Sequence, residues 1–487
     1  MRKITIKLAT LLLPLFAFQG VSAANDSGMY RVKTNLAAND NMIISFASTD
    51  GKVSVSVNNG DFVDYEVSTD FNKKTPLMFT PGTDSPEFVV KGDLTAFDAP
   101  NESIYEFVME GNNSLVLLNL AQNDLTNLSL ADGKNIRFCY LLDNSLSTLD
   151  LSKATKIEEL NINFNEFTDI DLSQLTNLKA FSCDHNSIAN LDVSNNTMLE
   201  ALYCKKNKIT DLDITALNAL RELSCESNKI DNLNLSNCPN IEMLYCKDNM
   251  ITNLYLDNCS NITELNCSIN ELTSLDLTEC TNLLELYCFS NQLTELNVSQ
   301  NMYLGAISCG DNALTEINLE GLSSLMSLSA SYNHITDINL TGCSMLMAMA
   351  VDHNELTTMN LSDCEYLFMA DVSFNQITDE GAAYMAETIA ERTEDEPGII
   401  VFTNSYDYPD EIENNVCAAS TLEMFYNKYW VLANGDEEFV PTGIESLSAD
   451  RNEINAIYDV NGIRHNNLSD GINIVVLKNG KTVKIVK

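Results

Sequence analysis

Apolar and polar positions follow a frame that repeats every 21 residues between about Leu115 and Ile377. Each repeat has apolar residues eight before, five before and two after a fixed asparagine. The thirteen asparagines are Asn123, Asn144, Asn165, Asn186, Asn207, Asn228, Asn249, Asn270, Asn291, Asn312, Asn333, Asn354 and Asn375. A fixed period of roughly 20 to 50 residues is typical of a solenoid, in which each repeat forms one coil.

The positions from five to three before the asparagine alternate apolar, polar, apolar, which predicts a short strand with one buried face. The second half of each unit repeats this spacing, as Leu275, Leu277 and Cys280 do relative to Leu272. A 21-residue coil with this pattern leaves no room for a helix. We therefore expect both sides of each coil to be strand-like, in a thin, mostly β solenoid with parallel strands.

The repeated asparagine is predicted to be structural. A buried amide costs free energy unless its donors and acceptor are paired. In a stack of identical turns it can bond backbone groups of its own coil and of the neighbouring coil. The predicted structural ladder includes Asn207, Asn228, Asn249, Asn270 and Asn291, with the cysteines Cys204, Cys225, Cys246, Cys267 and Cys288.

Most of the 14 cysteines share two columns of the repeat. Side chains in one column stack at about the strand spacing of 4.8 Å, whereas disulfides prefer Cβ atoms about 3.8 Å apart. We interpret these cysteines as small buried apolar side chains. The alternatives are disulfides, which are common in exported chains, and a zinc site, which needs four ligands around one point.

The repeat LYCKDNMITNLYLDNCSNITE resembles the bacterial leucine-rich repeat family. That resemblance implies a curved, right-handed coil with a parallel sheet along one side. The following segment, QITDEGAAYMAETIAER, resembles the helix-bearing repeat of the ribonuclease-inhibitor class, with Asp379 as its predicted N-cap. Two more strands, a helix around 418 to 426 and a buried Trp430 are expected after it.

The flanking segments have other patterns. Residues 1–23 begin with basic residues and continue with a short apolar run and small residues, as a secretory signal peptide does. Residues 24–114 contain alternating runs that predict a β-rich N-terminal cap region, with an independent binding module as the alternative. Residues 115–377 are the predicted solenoid, 378–435 helix-bearing terminal repeats, and 436–443 a linker.

Residues 444–487 contain IYDVNG, DGINIVVLKNG and KTVKIVK in that order. They are similar to the C-terminal sorting domain of proteins exported by the type IX secretion system of Bacteroidetes, which implies a cell-surface or extracellular location. Asn473 departs from that family's G-I-Y-I motif, and the segment is shorter than a complete sorting domain. The predicted fold is thus a leucine-rich repeat solenoid with a few C-terminal helices and a small β-sandwich-like C-terminal domain. The alternative for this segment is a β domain that merely ends the chain.

The formal net charge is −41 at pH 7. Such acidity disfavours binding to nucleic acid or to anionic membranes, and repulsion between copies favours a monomer. Beyond the leader, no stretch approaches the length of a transmembrane span. We therefore expect an exported, monomeric protein without transmembrane spans.

Candidate binding residues lie at outward positions of the strands. Tyrosines recur four before the asparagine, and lysines and a phenylalanine recur two before it. This tyrosine stripe comprises Tyr140, Tyr203, Tyr245, Tyr287, Lys205, Lys247 and Phe289. Tyrosine is favoured at binding surfaces because it buries area with few rotors. The stripe predicts contact with a protein or a sugar chain, unless tyrosine is there only because it suits strands.

Aspartates and asparagines form another column six after the ladder asparagine, including Asp213 and Asp276. We interpret them as turn-capping residues rather than calcium ligands, which cluster more densely. His334 and His353 lie on neighbouring coils near Asp352, which makes them either a metal site or ordinary surface residues.

Catalytic motifs are missing from the sequence: no P-loop, G-x-S-x-G, H-E-x-x-H or dinucleotide fingerprint occurs. We expect no cofactor. The predicted function is a non-enzymatic scaffold for protein interaction or adhesion, with partners on host or neighbouring bacterial surfaces. The alternatives are a glycan-binding accessory protein and an enzyme sited in the N-terminal segment.

Overall fold

The computed structural model describes residues 28–111, 114–404, 408 and 411–435, together with the backbone of five short strands after residue 436. The predicted signal peptide lies outside the described residues, and so does most of the predicted linker. Strands and helices are numbered below in chain order.

The N-terminal region contains eight strands: β1 (Gly28–Thr34), β2 (Met42–Ser48), β3 (Lys52–Val57), β4 (Val63–Glu66), β5 (Thr75–Phe79), β6 (Glu87–Gly92), β7 (Leu94–Asp98) and β8 (Ile104–Glu110). Five of them form an antiparallel sheet in the order β4-β3-β6-β1-β8. Strands β5 and β7 flank β2 in a second sheet. The buried rings of Tyr30, Phe97 and Phe107 pack between the two sheets, with centroids 5.0 to 6.1 Å apart.

The second sheet continues directly into the solenoid, because β7 pairs in parallel with the first coil strand. The thirteen front strands, one in each of coils 1 to 13, are β9 (Leu117–Asn119), β10 (Phe138–Tyr140), β11 (Glu159–Asn161), β12 (Ala180–Ser182), β13 (Ala201–Tyr203), β14 (Glu222–Ser224), β16 (Met243–Tyr245), β18 (Glu264–Asn266), β19 (Glu285–Tyr287), β20 (Ala306–Ser308), β22 (Ser327–Ser329), β24 (Ala348–Ala350) and β25 (Met369–Asp371). Each pairs in parallel with its neighbours, as Leu202, Leu223 and Leu244 do in register. This front sheet confirms the predicted solenoid.

The repeated asparagine ties each coil to the one before. Asn207 Nδ2 donates to Cys183 O on the previous coil, at 2.9 Å, and to Cys204 O on its own coil, at 3.1 Å. Its Oδ1 accepts from Ile188 N of the previous coil at 3.0 Å. The same pattern recurs from Asn144 to Asn375. These bonds satisfy backbone groups that a tight turn would otherwise leave unpaired.

The residue before each ladder asparagine has a positive φ, between 51° and 59° in all thirteen coils. Few side chains favour this left-handed conformation, and it is strained for a β-branched residue such as Ile269. The amide of Asn270 bonds Cys267 O and Ser268 O at 3.0 and 3.2 Å, immediately before that residue. The ladder amide therefore holds the turn closed from inside.

Strand pairing on the back of the solenoid is limited. The back strands are β15 (Asn232–Asn234), β17 (Asn253–Tyr255), β21 (Glu316–Asn318) and β23 (Asp337–Asn339). Isolated bridges join Ser129 to Asp150 and Asn297 to Asn318. The expectation that both sides of every coil are strand-like is therefore met only in these coils.

Turn-capping side chains limit the length of the back strands. Asp213 Oδ1 accepts from Thr215 N at 3.0 Å, and Asp276 Oδ1 accepts from Thr278 N at 2.9 Å. Asn234 caps Ser236 N in the same way. The chain turns at these residues, which confirms the turn-capping interpretation of this column.

All fourteen cysteines are buried and free. Burial raises the pKa of their thiols, to about 12 for Cys225 and Cys267. A buried thiol with a raised pKa is unreactive. The cysteines thus fill the solenoid core as small apolar side chains.

The chain after coil 13 adds α1 (Asp379–Thr388), β26 (Gly398–Thr403), α2 (Ala419–Tyr426) and β27 (Trp430–Asn434), and both strands extend the front sheet in parallel. The prediction of Asp379 as N-cap is wrong: Thr378 has the extended cap conformation and its side chain accepts from Gly381 N. Asp379 instead bonds Ala418 N and Thr421 Oγ1, both at 2.7 Å, at the start of α2. Trp430 is fully buried, as expected.

Asn415 extends the ladder beyond the repeats. Its Oδ1 accepts from Ile377 N at 2.9 Å, and its Nδ2 donates to Val372 O at 2.8 Å. Beyond β28 (Glu437–Glu438), four strands form one antiparallel sheet in the order β30-β29-β31-β32: β29 (Ile454–Asp459), β30 (Arg464–His465), β31 (Ile472–Leu477) and β32 (Thr482–Val486). Within the described part of the chain, no helix has the length and apolar character needed to cross a bilayer.

Candidate binding surface on the front sheet

The outward side chains of the front sheet form columns that run along the solenoid. Residues five and three before each ladder asparagine point into the core, as the fully buried Leu223 and Cys225 do. Residues six, four and two before it alternate with these inward positions and face outward. The residue seven before it, just ahead of the strand, is also outward, as the half-exposed Met326 is. Packing does not dictate these outward columns, so a binding function would be encoded in them.

The structure brings most of the tyrosine stripe together. Tyr203, Tyr245 and Tyr287 lie on coils 5, 7 and 9, whereas Tyr140 lies three coils earlier, on coil 2. Each hydroxyl donates to a glutamate on the same face. Tyr140 bonds Glu159 at 2.7 Å, Tyr287 bonds Glu285 at 2.7 Å, and Tyr203 and Tyr245 bond Glu222 and Glu264.

These glutamates change the acidity of the phenols. The hydrogen bond to Glu285, together with burial, raises the pKa of Tyr287 to about 12. Burial and the bond to Glu222 raise the pKa of Tyr203 above its ordinary value. The stripe is therefore a band of neutral phenols paired with carboxylates.

The lysines of the stripe are also paired within the chain. Lys205 Nζ lies 2.8 Å from Glu226 Oε2. Lys247 Nζ lies 5.1 Å from the ring centroid of Phe289, two coils further on, which is a cation–π distance. The buried Ser268 occupies the same column on the coil between them. A partner would have to displace these contacts to use either ammonium group.

The column seven before the asparagine is charged in coils 2 to 7. Its residues alternate in sign and form the charge ladder Arg137, Glu158, Lys179, Glu200, Arg221 and Glu242. Arg137 and Lys179 both bond Glu158, at 2.5 and 3.2 Å. Arg221 Nη2 lies 2.5 Å from Glu242 Oε1. Opposite charges on successive coils thus pair along this column.

The same column becomes apolar in coils 9 to 13. We call this column the apolar row; it consists of Leu284, Gly305, Met326, Met347 and Phe368. Exposed apolar residues flank it: Met302, Tyr303, Met345, Tyr366 and Met369. Leu284, Met326 and Phe368 are 46 to 47% exposed, and Tyr303 is 61% exposed. A Cβ on Gly305 would lie 3.6 Å from Met326 Cε, so this methionine covers the neighbouring coil.

Beside the apolar row, the outward positions of coils 10 to 12 carry small side chains, apart from Asp352 on coil 12. This small-residue floor consists of Ala306, Ser308, Gly310, Ser327, Ser329, Ser331, Ala348 and Ala350. At Gly310 a Cβ would lie 2.8 Å from Ser331 O, so the position requires glycine. The floor therefore forms a shallow trough, with the apolar row along one side.

The far margin of the floor is a ring column. The imidazole of His353 stacks between Tyr332 and Phe374, with centroids 4.0 and 4.3 Å away. His353 Nδ1 lies 2.8 Å from Asp352 Oδ2, and its Nε2 lies 2.9 Å from Glu411 Oε2. The two carboxylates bond opposite sides of the ring and do not converge on one point.

The other histidine of the candidate metal site lies apart from this cluster. His334 Nδ1 contacts Glu355 Oε1 at 3.2 Å instead. Among the residues that the structure describes, no group of three or more histidine, cysteine, aspartate or glutamate side chains is arranged to hold a metal ion.

Charge separates the two halves of the solenoid. Residues 115–247 contain eleven lysines and arginines, whereas residues 248–391 contain none and carry 21 aspartates and glutamates. The apolar row and the small-residue floor therefore lie in a segment with no lysine or arginine of its own.

The repeat geometry can be compared with solved structures. The functional domain of InlJ from Listeria monocytogenes, which includes a cysteine ladder, matches with a TM-score of 0.60 at 25% identity, over 83% of this chain and 93% of that domain. The leucine-rich repeat domain of APL1B matches with a TM-score of 0.50 at 18% identity, over 56% of this chain and 86% of that chain. The chain has the leucine-rich repeat fold. No family model and no curated protein matches the sequence.

Like that InlJ domain, this leucine-rich repeat solenoid stacks cysteines, with seven in consecutive coils from Cys183 to Cys309. Reasoning from the sequence did not identify the apolar row of the solenoid, because it followed the columns that contain tyrosine. The signal was available: in the 21-residue register one outward column changes from alternating charges to leucine, methionine and phenylalanine.

Proposed function

We propose that this chain is an exported, non-enzymatic scaffold that binds a protein partner through the front sheet of coils 9 to 13. The observation that carries the proposal is the apolar row. Contiguous exposed apolar side chains on a soluble protein mark interaction sites. In coils 2 to 7 the same column is filled by charged residues, most of which form ion pairs, so the fold does not require apolar residues there.

Residue chemistry supports a protein rather than a small substrate. The surface is an open face along the coils and not an enclosed cavity. Extended open surfaces of solenoids suit macromolecules. The row is rich in methionine, a flexible side chain that adapts to varied partners. The tyrosine stripe lies next to it, at coil 9, and would supply the rim of the same contact.

Capture of proteins from host or bacterial cell surfaces tests this proposal. The chain is immobilised and compared with the double variant Met326→Gln, Met347→Gln, which keeps side-chain length and removes apolar character. Met198→Gln is the matched control, because Met198 is 44% exposed but lies on coil 5, outside the row. We expect the double variant to lose at least tenfold in affinity for the captured protein and the control to bind as the parent does.

Equal capture by the double variant would contradict the proposal. Alanine changes at Tyr287 and Phe289 test the stripe and should give a smaller loss. A glycan array is the companion measurement, since binding to a sugar that survives the double variant would favour the glycan-binding alternative instead.

Export rests on the leader and on the C-terminal segment. Deleting residues 444–487 should retain the protein in the periplasm of a type IX secreting bacterium, as measured by protease protection in intact cells. Undiminished surface labelling of the shortened chain would contradict a sorting role.

A further inference from the structure

The geometry points to one class of partner for the apolar row: an amphipathic α-helix with lysine or arginine on its flanks, lying along the solenoid axis over the small-residue floor. This inference rests on the proposed function, because it assumes that the row binds a protein. It adds the secondary structure, direction and charge of the bound segment.

The spacing of the coils favours a helix. Outward side chains of one column repeat about every 4.8 Å along the solenoid. An amphipathic helix presents one apolar side chain per turn, about every 5.4 Å. Over the four coil steps from Leu284 to Phe368, about 19 Å, the two repeats drift by only about 2 Å, which flexible methionines can absorb.

An extended segment fits this spacing less well. Its side chains on one face repeat about every 6.6 Å, so they fall out of register with the coils after about two steps. A helix of about 13 residues covers the whole row at 1.5 Å per residue. The repeat of the sheet therefore selects helical over extended partners.

The width of the surface also suits a helix. From the column of Met326 to that of Ser331 the chain advances five residues, at most about 16 Å at strand spacing, and a helix with its side chains is about 10 to 12 Å across. The absence of large side chains on the floor lets the helix approach the sheet closely. The row lies along one flank of the helix, and Tyr332 and Phe374 lie along the other.

Charge complementarity determines the polar flanks of the helix. Glu285, Asp352 and Asp371 lie on the outward face of coils 9, 12 and 13, next to the floor. Their described partners here are hydroxyls, a backbone amide and the His353 ring, and none is a lysine or arginine. A partner that carries cations on both sides of its apolar stripe would neutralise these carboxylates.

Synthetic peptides of 18 residues test the inference. The first has leucines at helical spacing with lysine on both flanks; the second scrambles the same composition; the third alternates leucine and lysine as in a strand; and the fourth replaces lysine by glutamate. Fluorescence anisotropy measures affinity, and circular dichroism measures helix gained on binding. We expect the first peptide to bind at least tenfold more tightly than the other three, with a gain of helix.

The expected site is checked on the protein side. Met326→Gln, Met347→Gln should weaken the first peptide at least tenfold, and Met198→Gln should change it less than twofold. Equal binding of the scrambled or alternating peptide would overturn the helical part, and equal binding of the glutamate peptide would overturn the charge part. An unaffected double variant would place the peptide elsewhere and overturn the inference.

The outcomes separate this inference from the proposed function. If a surface protein is captured through the row but no helical peptide binds there, the scaffold function stands and the helical partner is wrong. If neither protein nor peptide depends on Met326 and Met347, both fail.

Discussion

The charge ladder of coils 2 to 7 and the apolar row of coils 9 to 13 occupy the same column of the same sheet. Both stand on the same asparagine ladder and on a buried apolar interior, and the strands keep one register. Cysteine fills one inward column in most coils of the first region, whereas alanine or valine fills it in coils 11 to 13. The difference that bears on binding lies in the outward side chains: Arg221 pairs with Glu242 in the first region, whereas Met326 covers Gly305 in the second. The interior thus specifies the coil, and the outer column is free to carry function.

The largest expected effect tests whether the interior is equivalent in the two regions. Asn207→Ala and Asn333→Ala each remove an amide that bonds backbone groups of two coils. Buried groups left unpaired cost about 1 to 3 kcal/mol each, so we expect a loss of about 3 kcal/mol at either site. Hydrogen exchange of the flanking coils measures the local loss.

The control for the ladder variants is Asn253→Ala, an exposed asparagine on the back of coil 7 that should change stability little. Unequal losses at Asn207 and Asn333 would show that the two interiors are not equivalent. The two regions would then differ in the stability of their cores as well as in their outward side chains.

A graft of the charge ladder onto the apolar row has the next largest effect. Met326→Arg, Met347→Glu places an ion pair on coils 11 and 12 with the spacing of Arg221 and Glu242. We expect the fold to be kept, because both side chains face outward, and protein capture to fall at least tenfold, about 1.4 kcal/mol or more. Capture affinity and thermal unfolding are measured together. Full capture by the grafted chain would show that the apolar character of the row is irrelevant.

The sequence predicts the interior well, since one physical demand repeats at each coil. Asn249 must pair backbone groups of a tight turn, and Cys246 must fit a small buried site, so their period specifies the solenoid. The outer surface carries no such demand. The pairing of Tyr245 with Glu264 depends on strand register, and a register that brings residues 19 apart in sequence together is visible only once the coil is known.

Two features at the solenoid ends depend on contacts that no repeat encodes. Thr378 and Asp379 are both good caps in sequence, and the contact of Asp379 with α2 decides between them. Asn415 joins the ladder from outside the 21-residue period. The N-terminal sheets have no period either, so their pairing could not be predicted from the sequence.

A titration distinguishes the charged half from the uncharged floor. Burial raises the pKa of Asp184, on coil 4, to about 6, although Lys205 N bonds it at 2.7 Å. The folded state thus holds a proton between about pH 4 and 6 that the unfolded state releases, and stability falls as pH rises through that window. Asp184→Asn should raise the free energy of unfolding at pH 7 by about 1 kcal/mol, after allowance for solvent screening.

The check on this titration is chemical denaturation at pH 4 and pH 7. The advantage of Asp184→Asn should largely vanish at pH 4, where the carboxyl is protonated in the folded state and about half protonated in the unfolded state. The matching positions on coils 10 and 11 of the floor are Gly310 and Ser331, which cannot titrate. Because Ser331 Oγ donates to Asp352, the control variant is Ser329→Ala on the same coil, which removes a hydroxyl from the floor and keeps that bond. A gain for Asp184→Asn that is the same at both pH values would contradict the raised pKa.

The smallest effect on stability is expected from the reverse graft, Arg221→Met, Glu242→Met. The two side chains are 55% and 38% exposed, and an exposed ion pair contributes only about 0 to 1 kcal/mol. Stability should therefore change by less than 1 kcal/mol, and high salt should abolish even that difference. If outward apolar residues suffice for function, the variant also gains weak binding of the captured protein at coils 6 and 7. If it gains none, binding also requires the small-residue floor. Coils 6 and 7 lack that floor, because Glu222 and Tyr245 stand on their outward faces. The first result would assign recognition to the apolar column alone, and the second would assign it to the column and the floor acting together.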